Sequence, residues 1–171
     1  ENLVVVENSG ATGVTIYVDD SNTAGPWDGT QNYPYQTIQE GITAATTGDT
    51  VFVFSGSYDE NVIITKDLTL TGENKDTTYI DGGENGHTVQ AGIIDNDIEV
   101  HLSGFTIKDA GGGGFDCIHF SYIVNSEITN NKILNSLEGE GIAIDHSHAL
   151  SIRNNVISNN NVAGISLTES E

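Results

Sequence analysis

The chain has no methionine, one cysteine, two prolines and only five basic residues among 171. Each shortage excludes something. A chain without Met is expected to have lost a leader or been trimmed, and a cleaved signal peptide with export is the natural reason. Cys117 alone forms no internal disulfide, so cysteine usage leaves the redox compartment open. Five Lys and Arg against 25 Asp and Glu give a formal charge of −20 and a pI near 4.1. Such a surface repels nucleic acid and anionic lipid, so neither is an expected partner. No apolar run approaches the ~20 residues of a membrane span, which argues against membrane insertion. Polyanionic sugars are repelled too unless a cation bridges them. Calcium, bound through carboxylate and carbonyl oxygens, is therefore the expected cofactor. Solubility in a salty or exposed setting accounts for the same charge without it.

What the chain does have is repetition. "LSGFTIKDA" from Leu102, "ITNNKILNS" from Ile128 and "IRNNVISNN" from Ile152 align, and a second series, "TVQA" at Thr88, "CIHF" at Cys117, "GIAI" at Gly141 and "GISL" at Gly164, aligns in the same register. A period in the range of 20 to 50 residues points to a solenoid. Short runs of Val, Ile and Thr broken by Gly and Asn are strands. Three strands per coil, stacked as parallel sheets, make an all-β solenoid. Alternation then turns Ile118, Phe120, Ile142, Ile144, Ile165 and Leu167 inward, with Leu102, Ile128 and Ile152 as a second column and Ile107, Ile133 and Ile157 as a third. Asn130–Asn131 and Asn154–Asn155 fall at corners, where Asn tolerates left-handed backbone and stacked amides are expected to bond one another up the axis.

The first third differs. "YPYQTIQEGITAATTGDT" sets Ile38, Ile42 and Ala45 at helical spacing between Pro34 and Gly48, which predicts a short amphipathic helix capping the stack ahead of the strand "VFVF" at Val51. The whole chain, 1–171, is then one domain. Residues 1–16 supply an N-terminal strand and linker, 17–50 an opening segment with the cap helix, and 51–171 the coils.

The stretch "YVDDSNTAGPWDGT…PYQTIQEGITAATTGDTVFVFSGSYDENVIITKDLTLTGENKDTTYIDG" resembles the opening segment of right-handed parallel β-helix proteins of the pectin-lyase-like superfamily. In particular it is similar to secreted or surface proteins of bacteria and archaea with PbH1-type repeats. The resemblance runs from about Tyr17 to the end. It implies a right-handed helix of three sheets, an N-terminal helical cap and an extracellular life. It does not imply one activity, since the superfamily holds lyases, hydrolases, esterases, epimerases and non-catalytic surface proteins.

In catalytic members the groove lies along the sheet that here carries "CIHF" and "GIAI". Its outward residues are expected to be Thr88, Gln90, Cys117, His119, Gly141, Ala143, Gly164 and Ser166, a small and mostly uncharged face. A glycoside hydrolase needs two carboxylates across roughly 5–9 Å, and a uronate lyase needs a basic proton acceptor and a cation. Neither set is legible, Arg153 lies on a different strand, and the esterase, polygalacturonase and pectate-lyase signatures are absent. The sequence therefore leans away from an enzyme.

Candidate binding residues fall in four groups. "DNDIE" sets Asp95, Asp97 and Glu99 on one side of an extended segment, and "VDDSN" with "WDGT" supplies Asp19, Asp20 and Asp28; both suit calcium, and an exposed acidic edge explains them as well. The coil-closing loops are expected to gather Asp81, Glu84, Asp109, Glu138 and Glu140 into an acidic stripe. Cys117 and His119, with His146 and His148 in "DHSHA", offer a looser soft-metal set. Leu3, Val4, Val5 and Val6 form an apolar β-branched run, either a first strand under the cap or a strand lent to a neighbouring copy. The expectation is a non-catalytic, secreted or cell-surface structural or adhesive protein that packs with copies of itself into a filament or layer. The alternatives are the N-terminal part of a secreted polysaccharide-active lyase or hydrolase, or a carbohydrate-binding module.

Overall fold

The computed structural model describes residues 13–170. The chain opens with strand β1 (Thr15–Val18) and helix α1 (Ile38–Ala44) and then winds into five coils of three strands each. The first coil holds β2 (Asp49–Val53), β3 (Gly56–Asp59) and β4 (Val62–Ile64), and the second β5 (Leu68–Gly72), β6 (Thr78–Asp81) and β7 (Val89–Ala91). The third holds β8 (Val100–Ser103), β9 (Thr106–Lys108) and β10 (Ile118–Ser121). The fourth holds β11 (Glu127–Thr129), β12 (Lys132–Leu134) and β13 (Ile142–Asp145), and the fifth β14 (Ser151–Arg153), β15 (Val156–Ser158) and β16 (Ile165–Thr168).

Like strands of successive coils pair in parallel to give three sheets. Sheet I runs β1-β2-β5-β8-β11-β14, sheet II β3-β6-β9-β12-β15, and sheet III β4-β7-β10-β13-β16. The fold is an all-β parallel solenoid of about five turns, as the repeat predicts.

The core is the set of inward columns that the alternation names. Leu102 and Ile128 are buried, as are Ile107 and Ile133, and Ile118, Phe120, Ile142 and Ile144. Each such side chain contributes roughly 1.5–3 kcal/mol by leaving water, which is why coils that are unstable singly hold as a stack. On the fifth coil the columns continue in register, but Ile165 and Leu167 are exposed, with no further described coil over them.

At the other end α1 covers the stack, packing on β1, β2 and β4 with Ile38, Gly41 and Ile42 buried. It is shorter than the sequence pattern suggests, ending before the extended Ala45. A capping box joins Thr37 and Glu40 at its N-terminus. Glu60 accepts hydrogen bonds from the backbone N–H groups of Ile38 (2.8 Å) and Gln39 (3.0 Å), and Lys66 Nζ donates to the carbonyls of Ile42 (3.1 Å) and Ala45 (2.7 Å). Charges of the favourable sign thus meet both ends of the helix. The Gln39 amide accepts from Ile63 N–H (2.9 Å) and donates to Ile63 C=O (3.2 Å), standing in for the strand that β4 lacks on that side. The cap closes a sheet edge that would otherwise invite pairing.

The corner between sheets I and II repeats a left-handed residue: Gly104, Asn130 and Asn154, with φ of 84°, 57° and 58°. The residue after it does the joining. Asn131, fully buried, accepts from Phe105 N–H at 3.0 Å and donates to Leu102 C=O at 3.0 Å, both on the coil below. Asn155 repeats this on Asn131 N–H (2.9 Å) and Ile128 C=O (2.8 Å). The amides do not bond one another as the sequence reading had it. They bond the backbone of the next coil, because a bend leaves peptide groups without strand partners and those must be satisfied first.

Candidate functional site

The same stacking rule places a second column at the start of sheet III. Val89, Ile118 and Ile142 are register partners. Two residues before each stand His87, Asp116 and Glu140, one above another, with Thr88 N–H donating to Asp116 C=O and Cys117 N–H to Glu140 C=O. His119 projects outward from β10 between Gln90 and Ala143.

Asp116 is buried and central. Its Oδ1 accepts from Glu140 N–H at 2.8 Å, and its Oδ2 lies 3.0 Å from His119 Nδ1 and 3.4 Å from His87 Nδ1. His87 Nδ1 also accepts from the Asp116 N–H at 2.9 Å. The two imidazoles stack with centroids 4.3 Å apart and planes at 27°, and Phe115 meets His87 edge-on at 5.0 Å. On its far side His119 Nε2 is 3.7 Å from Asp145 Oδ2.

These contacts set protonation. The hydrogen bond to Asp116 raises the His119 imidazole above its ordinary range against burial. Burial, and then the neighbouring His119, push His87 below its ordinary range. Burial favours the neutral Asp116 acid, but hydrogen bonds with His119 and with the Glu140 side chain and peptide hold the carboxyl low. Glu140, which shares a hydrogen bond with Asp116, is raised. A neutral imidazole, a second that charges readily and a buried carboxylate thus share one point, an arrangement suited to holding a cation or moving a proton. Among the described residues, His87, Asp116 and His119 form the one group of three or more ligating side chains whose donor atoms all lie within 4.8 Å of one another.

The sequence-predicted residues fall elsewhere, or in part here. Cys117, read as outward beside His119, is buried with Sγ on the Leu134 carbonyl at 3.3 Å, and burial pushes its thiol up to about 12. Thr88 and Gly141 are buried as well. These three precede their strands at the corner, where the backbone has not yet entered the strand alternation. His146 stacks on Tyr122 and pairs with Glu169 at 2.7 Å, away from His119. Asp95 sits in a tight turn, with Ile93 and Asn96 bridging antiparallel, so the segment is not extended as expected. Asp97 is exposed, and Glu99 pairs with His101 at 2.8 Å. Asp19 accepts from Ser21 N–H and Asp28 from Thr30 N–H and Oγ1, each serving its own turn, whereas Asp20 accepts from Ser57 N–H and ties the opening segment to β3.

The acidic stripe divides four ways. Lys108 bridges Asp81 and Asp109. Glu84 and Asp109 line an open groove of about 590 Å³ with Asn135, Leu137, Asn159 and Asn161. Glu138 accepts from Gly113 N–H at 2.6 Å, and Glu140 joins the imidazole cluster. The run Leu3, Val4, Val5 and Val6 lies outside the described residues.

Fold and site together define a parallel β-solenoid with an imidazole–carboxylate cluster at the start of sheet III. Residues 21–171 match the model of the family described as a protein of unknown function (DUF1565), a PbH1-type β-helix family, and the chain belongs to it. No curated protein matches the chain.

Proposed function

We propose that the chain is a non-catalytic structural solenoid of the cell exterior, a stiff acidic segment that displays its faces. The observation that carries this reading is where the buried polar groups go. Asn131, Ser126, Ser136, Ser147 and Thr88 each bond the backbone of an adjacent coil. Among the described residues, no buried side-chain nitrogen or oxygen lacks a partner. Polar chemistry is spent on coil-to-coil stapling, as a load-resisting rod requires. The net charge of −20 suits an exterior, solvated surface. The test is incubation with neutral and uronate polysaccharides, with calcium or zinc present, followed by assay for reducing ends and unsaturated sugars. The expected result is no release; release of either product by the wild-type chain would sink the reading.

Polysaccharide binding without cleavage is a second reading, favoured by the groove along the sheet II–III corner. There Asp109, Asn135 and Asn159 stack one per coil, and Asn135 Nδ2 donates to Asp109 Oδ1 at 3.1 Å. A row of amides at coil spacing presents hydrogen-bonding groups to successive sugar hydroxyls. Asn135→Ala is expected to lower mobility retardation in polysaccharide-containing gels if the groove binds. Equal retardation of variant and wild type removes it.

A further inference from the structure

We propose that His87, Asp116 and His119 form a binding site for a divalent transition metal of the zinc class. Asp116 Oδ2 lies 3.0 Å from His119 Nδ1 and 3.4 Å from His87 Nδ1. Ligands held at about 2.0–2.1 Å around a tetrahedral ion are separated by about 3.4 Å, so the two carboxylate–imidazole separations already approach the edges of such a tetrahedron, and all three donor atoms lie within 4.8 Å of one another. The inference goes beyond the structural reading of the chain and does not depend on it.

Each ligand is held by its surroundings. Glu140 N–H occupies Asp116 Oδ1, which leaves Oδ2 as the atom that faces the imidazoles. The Asp116 N–H donates to His87 Nδ1, so that nitrogen is the unprotonated one, and its lone pair is engaged by the Asp116 peptide beside the carboxylate. A bound metal takes over this lone pair. His119 presents Nδ1 to the same point while Nε2 faces Asp145 Oδ2 at 3.7 Å. Metal-bound histidines characteristically hand their other N–H to a carboxylate; Asp145 stands just beyond direct hydrogen-bond length, within reach of a small turn of the ring or one bridging water. Nothing in the stapling role of the other polar columns calls for that second carboxylate.

The donor set also selects the ion. Two imidazole nitrogens and one carboxylate oxygen suit zinc, nickel, copper or cobalt, whereas calcium takes six or more oxygens. Cys117, next in sequence, is turned into the core and is not a ligand. Both imidazoles are half-buried, with side-chain exposures of 18% and 23%, so the ion has a path in and a fourth position open to water.

The experiment is calorimetric titration of the full chain with zinc chloride at neutral pH, paired with NMR of the histidine imidazoles. We expect one Zn²⁺ per chain, with shifts confined to the His87 and His119 signals. His119→Gln is expected to weaken binding by more than about 100-fold and Asp145→Asn by about 10- to 100-fold, while His148→Gln changes nothing. Absence of binding overturns the proposal. So does binding that moves His146 and His148 signals instead, or that survives His87→Gln and His119→Gln intact. The imidazole spectra are read on the wild type, so a variant that fails to fold does not shield the proposal.

Discussion

Two of the polar columns that climb this solenoid differ in kind. At the sheet I–II corner the column repeats itself, Asn131 followed by Asn155, and every amide bond ends on backbone. At the start of sheet III the column reads His87, Asp116, Glu140, and its side chains meet each other. A structural need recurs at every coil and so selects the same residue each time. A chemical need arises once and assembles unlike residues from several coils. Uniform columns are joints, and mixed columns are sites.

That contrast is open to direct attack. Asn131→Ala strands the buried Phe105 N–H and Leu102 C=O, at 1–3 kcal/mol each, so a loss of about 3 kcal/mol is expected in urea unfolding. Asn155→Ala removes the same pattern one coil later, where the amide is half-buried and water replaces it; the expected loss is about 1 kcal/mol. Equal losses would mean that burial does not set the strength of the joint. His119→Gln, measured in chelator, takes one hydrogen bond from the buried Asp116 Oδ2, but the half-buried position lets the glutamine amide or water reach the same oxygen, so a cost of about 1 kcal/mol is expected. A loss as large as that of Asn131→Ala would erase the distinction between joint and site.

The Lys108 bridge lies between the two cases. Burial favours the neutral Asp81 acid, but the hydrogen bond and charge of Lys108 hold the carboxyl below its ordinary range. A depressed acid contributes stability that is present above the unfolded carboxylate pKa near 4 and is lost as pH falls through the folded value. Lys108→Met is therefore expected to cost about 1 kcal/mol at neutral pH. In thermal melts the deficit should shrink as pH drops through the carboxylate range; a deficit independent of pH would assign it to packing of the lysine stem.

The repeat, the inward columns and the corner role of the Asn pairs were legible because each obeys the coil period. Ile118, Ile142 and Ile165 are register partners, as their alignment requires. The imidazole cluster was missed by one residue. The strings "TVQA", "CIHF" and "GIAI" are preceded by His87, Asp116 and Glu140, so the column stood in the alignment just ahead of its quoted start. It went unread because its members differ, and because Cys117 was given strand alternation at a corner where the alternation has not begun. The fate of Asp95 was not legible either, since a two-residue turn depends on the pairing of Ile93 with Asn96 and not on the run of acids.

The smallest expected effect concerns the corner's first residue. Asn130 is exposed and left-handed at φ 57°, and its Oδ1 accepts from Lys75 Nζ at 2.7 Å. Asn130→Gly removes that surface bond but relieves a conformation that glycine adopts freely, so the two changes oppose. A net change of a few tenths of a kcal/mol is expected. One coil below, the equivalent Gly104 does not exchange in the other direction, because a Cβ there would stand 2.2 Å from the Gly72 carbonyl oxygen. The backbone of the neighbouring coil, not the φ angle, decides which corners accept a side chain. Comparison of Asn130→Gly with Gly104→Asn in the same unfolding assay isolates that term: near-equal small effects would mean that the coils part easily at this corner, and a large effect of Gly104→Asn alone would mean that they do not.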